Sequence, residues 1–202
     1  MRNDQKNLLL SALLIALYIV TYACLHGRIP NVNLMYTGMS IGTILLFCLF
    51  LRKIPFPFYA AFALFAMFAQ YFGSMLGGYH KLWCYDLILH FSSGALLVLA
   101  GDLLYQRLWR KHDMRTAPHA LPLCFSALFS IACAGLWEVY EFTSDFLLHI
   151  GSQGNLADTM TDIIAGTTGA LLGVLALYAW LRRQRARAAQ EQDTAANDMG
   201  AS

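Results

Sequence analysis

The stretch LLLSALLIALYIVTYACL, residues 8–25, decides the class of this protein because it contains no charged side chain. A helix crosses the hydrocarbon core of a bilayer in about 20 residues, so an uncharged run of this length is typical of a membrane span. Five further apolar runs approach or reach that length: residues 34–51, 56–77, 86–109, 121–148 and 158–181. The sequence therefore predicts an all-α, polytopic transmembrane bundle of six spans.

The composition agrees with a bilayer as the solvent. Of the 202 residues, 58% are hydrophobic and only 13% are charged, which is too little charge to cover a soluble domain. Proline and glycine mark the breaks between the apolar runs. We predict one transmembrane domain over residues 1–183. The polar segment 184–202 is predicted to be a disordered cytoplasmic tail.

Lysine and arginine predict the orientation. If the N-terminus is cytoplasmic, only Arg28 and Lys81 of the fourteen basic residues fall outside, as the positive-inside rule requires. Both termini are then cytoplasmic, and we expect a multi-pass protein of the bacterial inner membrane. The basic residues face lipid head groups, so membrane lipids rather than nucleic acid are the expected partners.

The five cysteines show no spacing typical of a metal site. Two alternatives stay open for Cys24 and Cys84, which both fall near the predicted outer face. They either pack in the core or form a disulfide in an oxidising periplasm.

Acidic residues recur at helical spacing in the last three predicted spans. Asp86 and His90 are four residues apart, which places them on one face of a helix. The same reasoning groups two further sets, Glu138, Glu141 and Asp145 in the fifth span and Asp158 and Asp162 in the sixth. Below the acids, small residues continue the stripes and predict close helix approach: Gly94 and Gly101, then Gly166, Gly169 and Gly173.

Topology brings these acids together. The fourth span runs inward, the fifth outward and the sixth inward, so six of the twelve acidic residues share the outer layer of the membrane. No lysine or arginine within a span is available to neutralise them. Such a group requires bound protons or a bound cation. Carboxylates with one imidazole suit Mg²⁺, Mn²⁺, Zn²⁺ or non-haem iron.

The leading hypothesis is a periplasm-facing metal site of a hydrolase or transferase that acts on lipid or envelope substrates. The predicted metal ligands are His90, Glu138, Glu141 and Asp162. The predicted catalytic residues are Asp86 and Asp158, as general base or as groups that support the ligands. Asp158 alternatively caps its helix. Alternative functions are a proton- or sodium-coupled transporter and a structural membrane subunit.

Three motifs carry a resemblance to a known family: Tyr85-Asp86-x-x-x-His90, Trp137-Glu138-x-x-Glu141, and Asp158-Thr159-x-x-Asp162 followed by glycines. They resemble those of the YjdF family of bacterial inner-membrane proteins, which implies the fold, the location and the important positions rather than a reaction. In motif order the chain is also distantly similar to VanZ-like membrane proteins. It lacks the arginine that those proteins usually carry before the late aspartate, so a role in glycopeptide resistance does not transfer.

Overall fold

The computed structural model describes residues 2–109, 120–149, 151 and 153–200. Within these residues the regular structure is entirely helical. The helices are α1 (Asn3–Leu25), α2 (Leu34–Leu51), α3 (Phe56–Met75), α4 (Gly78–Lys81), α5 (Tyr85–Leu108), α6 (Ala120–Leu148) and α7 (Leu156–Gly200). The basic residues Arg110, Lys111 and Arg115, which contribute to the predicted orientation, lie outside the described residues.

Six of these helices are long and apolar enough to cross a membrane, which confirms the predicted number of spans. Their bounds follow the prediction closely, except at the ends of α1 and α7. The first helix begins at Asn3, before the apolar run starts, and α7 continues to Gly200. Alanine, glutamine, glutamate and arginine favour the helical state, which accounts for the extension of α7. Disorder of residues 184–202 in solution stays a prediction.

The chain divides into two compact units, Met1–Leu89 and His90–Ser202. In the first unit, polar side chains join the helices. The fully buried Asn7 donates from Nδ2 to the carbonyl oxygens of Arg52 (2.9 Å) and Ile54 (3.0 Å), and Ser11 hydrogen-bonds the buried Tyr59 hydroxyl. Because lipid provides no hydrophobic force between spans, such hydrogen bonds help to set how the helices associate.

The third helix changes its hydrogen-bonding pattern before it ends. Its last part, Met67–Met75, is a π-helix, and the Leu76 amide then donates to the Tyr71 carbonyl at 2.9 Å. The five-residue spacing of this bond widens the turn and shifts the side chains that follow. The sequence did not predict this feature, because residues 67–75 read as an ordinary apolar continuation of the span.

In the second unit, α5 and α7 approach each other through glycines. A Cβ atom at Gly94 would lie 2.9 Å from the Gly166 carbonyl carbon and 3.0 Å from the Ala170 nitrogen, and one at Gly173 would lie 3.0 Å from the Ala95 Cα. The side chain of Ala170 packs in an apolar core with Val98 of α5. The predicted close approach along the small-residue stripes is thus confirmed.

All five cysteines are free. Cys24 is exposed and Cys84 is half-buried. Of the two alternatives for this pair, the disulfide is not formed.

Candidate metal centre

Helix α5 places Asp86 and His90 one turn apart. Both lie in its first two turns, and the division between the two units falls inside this continuous helix, between Leu89 and His90. The spacing of four residues puts the two side chains on one helical face, as predicted. His90 is buried and Asp86 is half-buried. A metal ion could therefore be reached by both side chains from a single helix.

Helices α6 and α7 each add one buried carboxylate. Glu138 is 5% exposed and Asp162 is 4% exposed. Acidic side chains are rarely buried to this extent unless they are paired. The His90 Nε2 atom and the Glu138 Oε1 atom are 3.8 Å apart. A carboxylate at this distance from the ring is close enough to attract a metal ion that the imidazole holds.

Three of these side chains form a compact group. Asp86, His90 and Asp162 each offer one ligand atom, and these atoms lie within 4.8 Å of one another. Donors on opposite sides of one ion, bound at about 2.0–2.6 Å, are separated by roughly 4–5 Å, so the group fits a single divalent ion. Two carboxylates and one imidazole are hard or borderline donors, which agrees with the predicted choice among magnesium, manganese, zinc and iron.

The glycine contacts explain how the two helices reach this separation. Gly94 follows His90 by one turn, and Gly166 follows Asp162 by one turn. Because Gly94 packs directly against the backbone at Gly166, the axes of α5 and α7 lie close together. His90 and Asp162, one turn earlier on each helix, are therefore brought close to each other. The Ser130 Oγ atom of α6 donates a hydrogen bond of 2.7 Å to the Gly94 carbonyl of α5. This bond attaches α6 to α5 at the level where α5 meets α7.

The other predicted site residues lie elsewhere. Glu141 is half-buried and accepts a hydrogen bond of 2.8 Å from the Trp137 indole, and Asp145 accepts one of 2.9 Å from the Gln153 amide. Asp158 is exposed in the first turn of α7. Among the described residues, the structure does not bring Glu141 or Asp158 into the group with His90. Their predicted roles as metal ligand and catalytic residue stay predictions.

Residues 7–183 match a family described as Predicted membrane protein (DUF2238). The chain belongs to this family. The matched residues include all of the predicted site, from Asp86 to Asp162. No curated protein and no solved structure matches the chain. The family description states a membrane protein and no activity, so the resemblance to YjdF-like and VanZ-like proteins stays a prediction.

Two features that support the site were not among the predictions, and the sequence carries a signal for one of them. The cap of α7 is Asn155, whose Oδ1 accepts from the amides of Ala157 (2.9 Å) and Asp158 (3.1 Å). Asn155 three residues before Asp158 is a recognisable capping signal, so this assignment was available from the sequence. The Ser130 contact to the Gly94 carbonyl had no such signal, because it depends on how α5 and α6 pack.

Proposed function

We propose that the last three spans of this multi-pass membrane protein hold a divalent metal ion, and that the protein is a metal-dependent hydrolase or transferase of lipid or envelope substrates. The observation that supports the site is the convergence of the Asp86, His90 and Asp162 ligand atoms within 4.8 Å. The predicted orientation places this site toward the periplasm in the inner membrane.

Charge provides the physical argument for a cation. Each buried carboxylate in a low-dielectric environment is destabilised, and several of them together repel one another. The described spans provide no lysine or arginine side chain at this level, since the chain has none between Asp86 and Arg107 or between Leu121 and Leu181. A divalent ion neutralises two carboxylates at once, which removes most of this penalty.

The proposed roles differ slightly from the predicted ones. His90 and Asp162 act as ligands, as predicted, whereas Asp86 joins them as a third ligand instead of serving as the base. Glu138 lies outside that group of three, but its Oε1 atom is 3.8 Å from the His90 Nε2 atom, and we include it as a fourth ligand. A bound divalent ion supplies Lewis-acid activation of water, which is the chemistry that hydrolysis of a phosphate or acyl ester needs. The protein contributes the fixed positions of the four side chains.

Elemental analysis of the purified full chain tests the proposal. After chelation and reloading with Zn²⁺ or Mn²⁺, we expect the wild type to retain about one ion per chain, as a single metal site with one position open for water does. His90→Ala and Asp162→Asn should lose more than about 100-fold in affinity, beyond the 10–100-fold typical for partners that do not touch the metal.

The matched control is Asp102→Asn. Asp102 is also a buried acid on α5, and it accepts a hydrogen bond of 2.7 Å from Gln106, but it lies three turns farther along the helix. This variant should retain the metal. A wild type that stays metal-free after reloading would refute the site. Release of a water-soluble head group from lipid vesicles by the loaded wild type, and not by His90→Ala, then tests the reaction.

A further inference from the structure

Tyr85, the first residue of α5, is tied to the preceding span. Its hydroxyl donates a hydrogen bond of 2.8 Å to the carbonyl oxygen of Phe68, which belongs to the π-helical part of α3. Tyr85 immediately precedes Asp86 in the chain. The start of α5, which carries the proposed metal ligand Asp86, is therefore held by a hydrogen bond between two protein groups that do not touch the metal.

Neighbouring residues pack closely around the Tyr85 ring. The Tyr79 ring packs edge-on against it, with 5.3 Å between centroids and 83° between planes. A Cβ atom at Gly78 would lie 3.1 Å from the Tyr85 Cζ atom, and one at Gly73 would lie 2.5 Å from the Tyr79 Cε2 atom. Side chains at these two glycines would displace the rings, so both positions leave room for this tyrosine pair.

The position of this contact matters because helix ends fray. Asp86 lies in the first turn of α5, and the terminal turns of a helix open more readily than its interior. The Tyr85 amide is bonded to the Leu82 carbonyl at 3.0 Å, and its hydroxyl adds a second attachment to a different helix. Two attachments at one residue restrict the motion of the next residue, Asp86.

We propose that Tyr85 is a positioning residue for Asp86, so that the π-helical end of α3 sets where this carboxylate meets the metal. The proposal rests on the proposed function, since it requires Asp86 to be a ligand. Groups that orient a metal ligand without touching the metal typically contribute 10–100-fold to affinity. Tyr85→Phe removes the hydroxyl and retains the ring, so it isolates this contribution.

The experiment compares full-length wild type, Tyr85→Phe and Tyr178→Phe. Tyr178 is the matched control, because it is an exposed tyrosine on α7 whose ring faces the Arg182 guanidinium, 5.8 Å away. We expect Tyr85→Phe to raise the dissociation constant for Zn²⁺ at least tenfold, the lower end of the range above. Its visible spectrum with Co²⁺ should shift toward that of Asp86→Asn, whereas Tyr178→Phe should match the wild type in both measurements.

The outcomes separate the two proposals. Wild type that binds no metal refutes the proposed function and this inference together. Wild-type affinity and an unchanged Co²⁺ spectrum in Tyr85→Phe refute the inference alone. If Tyr85→Phe fails to fold, Tyr79→Leu provides the test, because it loosens the Tyr85 ring and leaves the hydroxyl in place. A folded Tyr79→Leu protein with unchanged affinity and spectrum would overturn the inference.

Discussion

Replacing Gly94 by alanine should separate α5 from α7 and open the metal site. The added Cβ atom would lie 2.9 Å from the carbonyl carbon of Gly166, and the oxygen of that carbonyl is closer still. Carbon atoms in contact prefer about 3.5–4.0 Å, so the helices must move apart by at least roughly 0.6 Å. The contacted carbon and oxygen of Gly166 are both backbone atoms of a long helix, so no side-chain rotation relieves the contact.

This displacement exceeds what a metal site tolerates. Metal–ligand distances hold to within about 0.2 Å, and productive sites are held to within about 0.5 Å. His90 lies one turn before Gly94, and Asp162 lies one turn before Gly166, so the separation acts directly on these two ligands. We expect Gly94→Ala to lose metal affinity at least tenfold. Overpacking of this kind also lowers stability by about 1–3 kcal/mol.

Gly135→Ala is the control for the loss of a glycine in a spanning helix. Nothing lies within 4 Å of a Cβ atom built at Gly135, which belongs to α6. Alanine there should be neutral or raise stability by about 0.5–1 kcal/mol through its helix propensity. Thermal unfolding and Zn²⁺ titration of both variants in detergent provide the measurements. Wild-type metal affinity in a folded Gly94→Ala protein would show that the α5–α7 spacing does not control the site.

Two other predictions concern the ends of helices and the orientation of the chain. Asn155→Ala removes the side chain that caps α7 and should lower the free energy of unfolding by about 1 kcal/mol, whereas Asp158→Asn should change it little; equal effects in thermal unfolding would contradict the assignment of the cap. Reporters fused to the N-terminus and after residue 202 should both report a cytoplasmic location, and one inserted at Gly151 should report the outside. A periplasmic C-terminus would instead place the metal group near the cytoplasmic face.

Much of the candidate site could be predicted because helical periodicity is a local property. The spacing of Asp86 and His90 placed them on one face before any packing was known, and alternation of the spans put Asp162 at the same level. Periodicity alone treats Glu138 and Glu141 alike, since both lie on the acidic stripe of α6. Only the packing of α6 separates them, because it buries Glu138 beside His90 and leaves Glu141 bonded to Trp137.

The sequence by itself determined the class of the protein, the number of spans and nearly all their bounds, because each span is a continuous apolar run whose length the bilayer dictates. Tertiary structure decided which acids converge, how the π-helical end of α3 reaches Tyr85 and how closely Gly94 meets Gly166. Those outcomes depend on rotation and distance between helices. The glycine stripes indicated that helices approach closely, but which residues meet and at what distance depends on contacts between residues far apart in the chain.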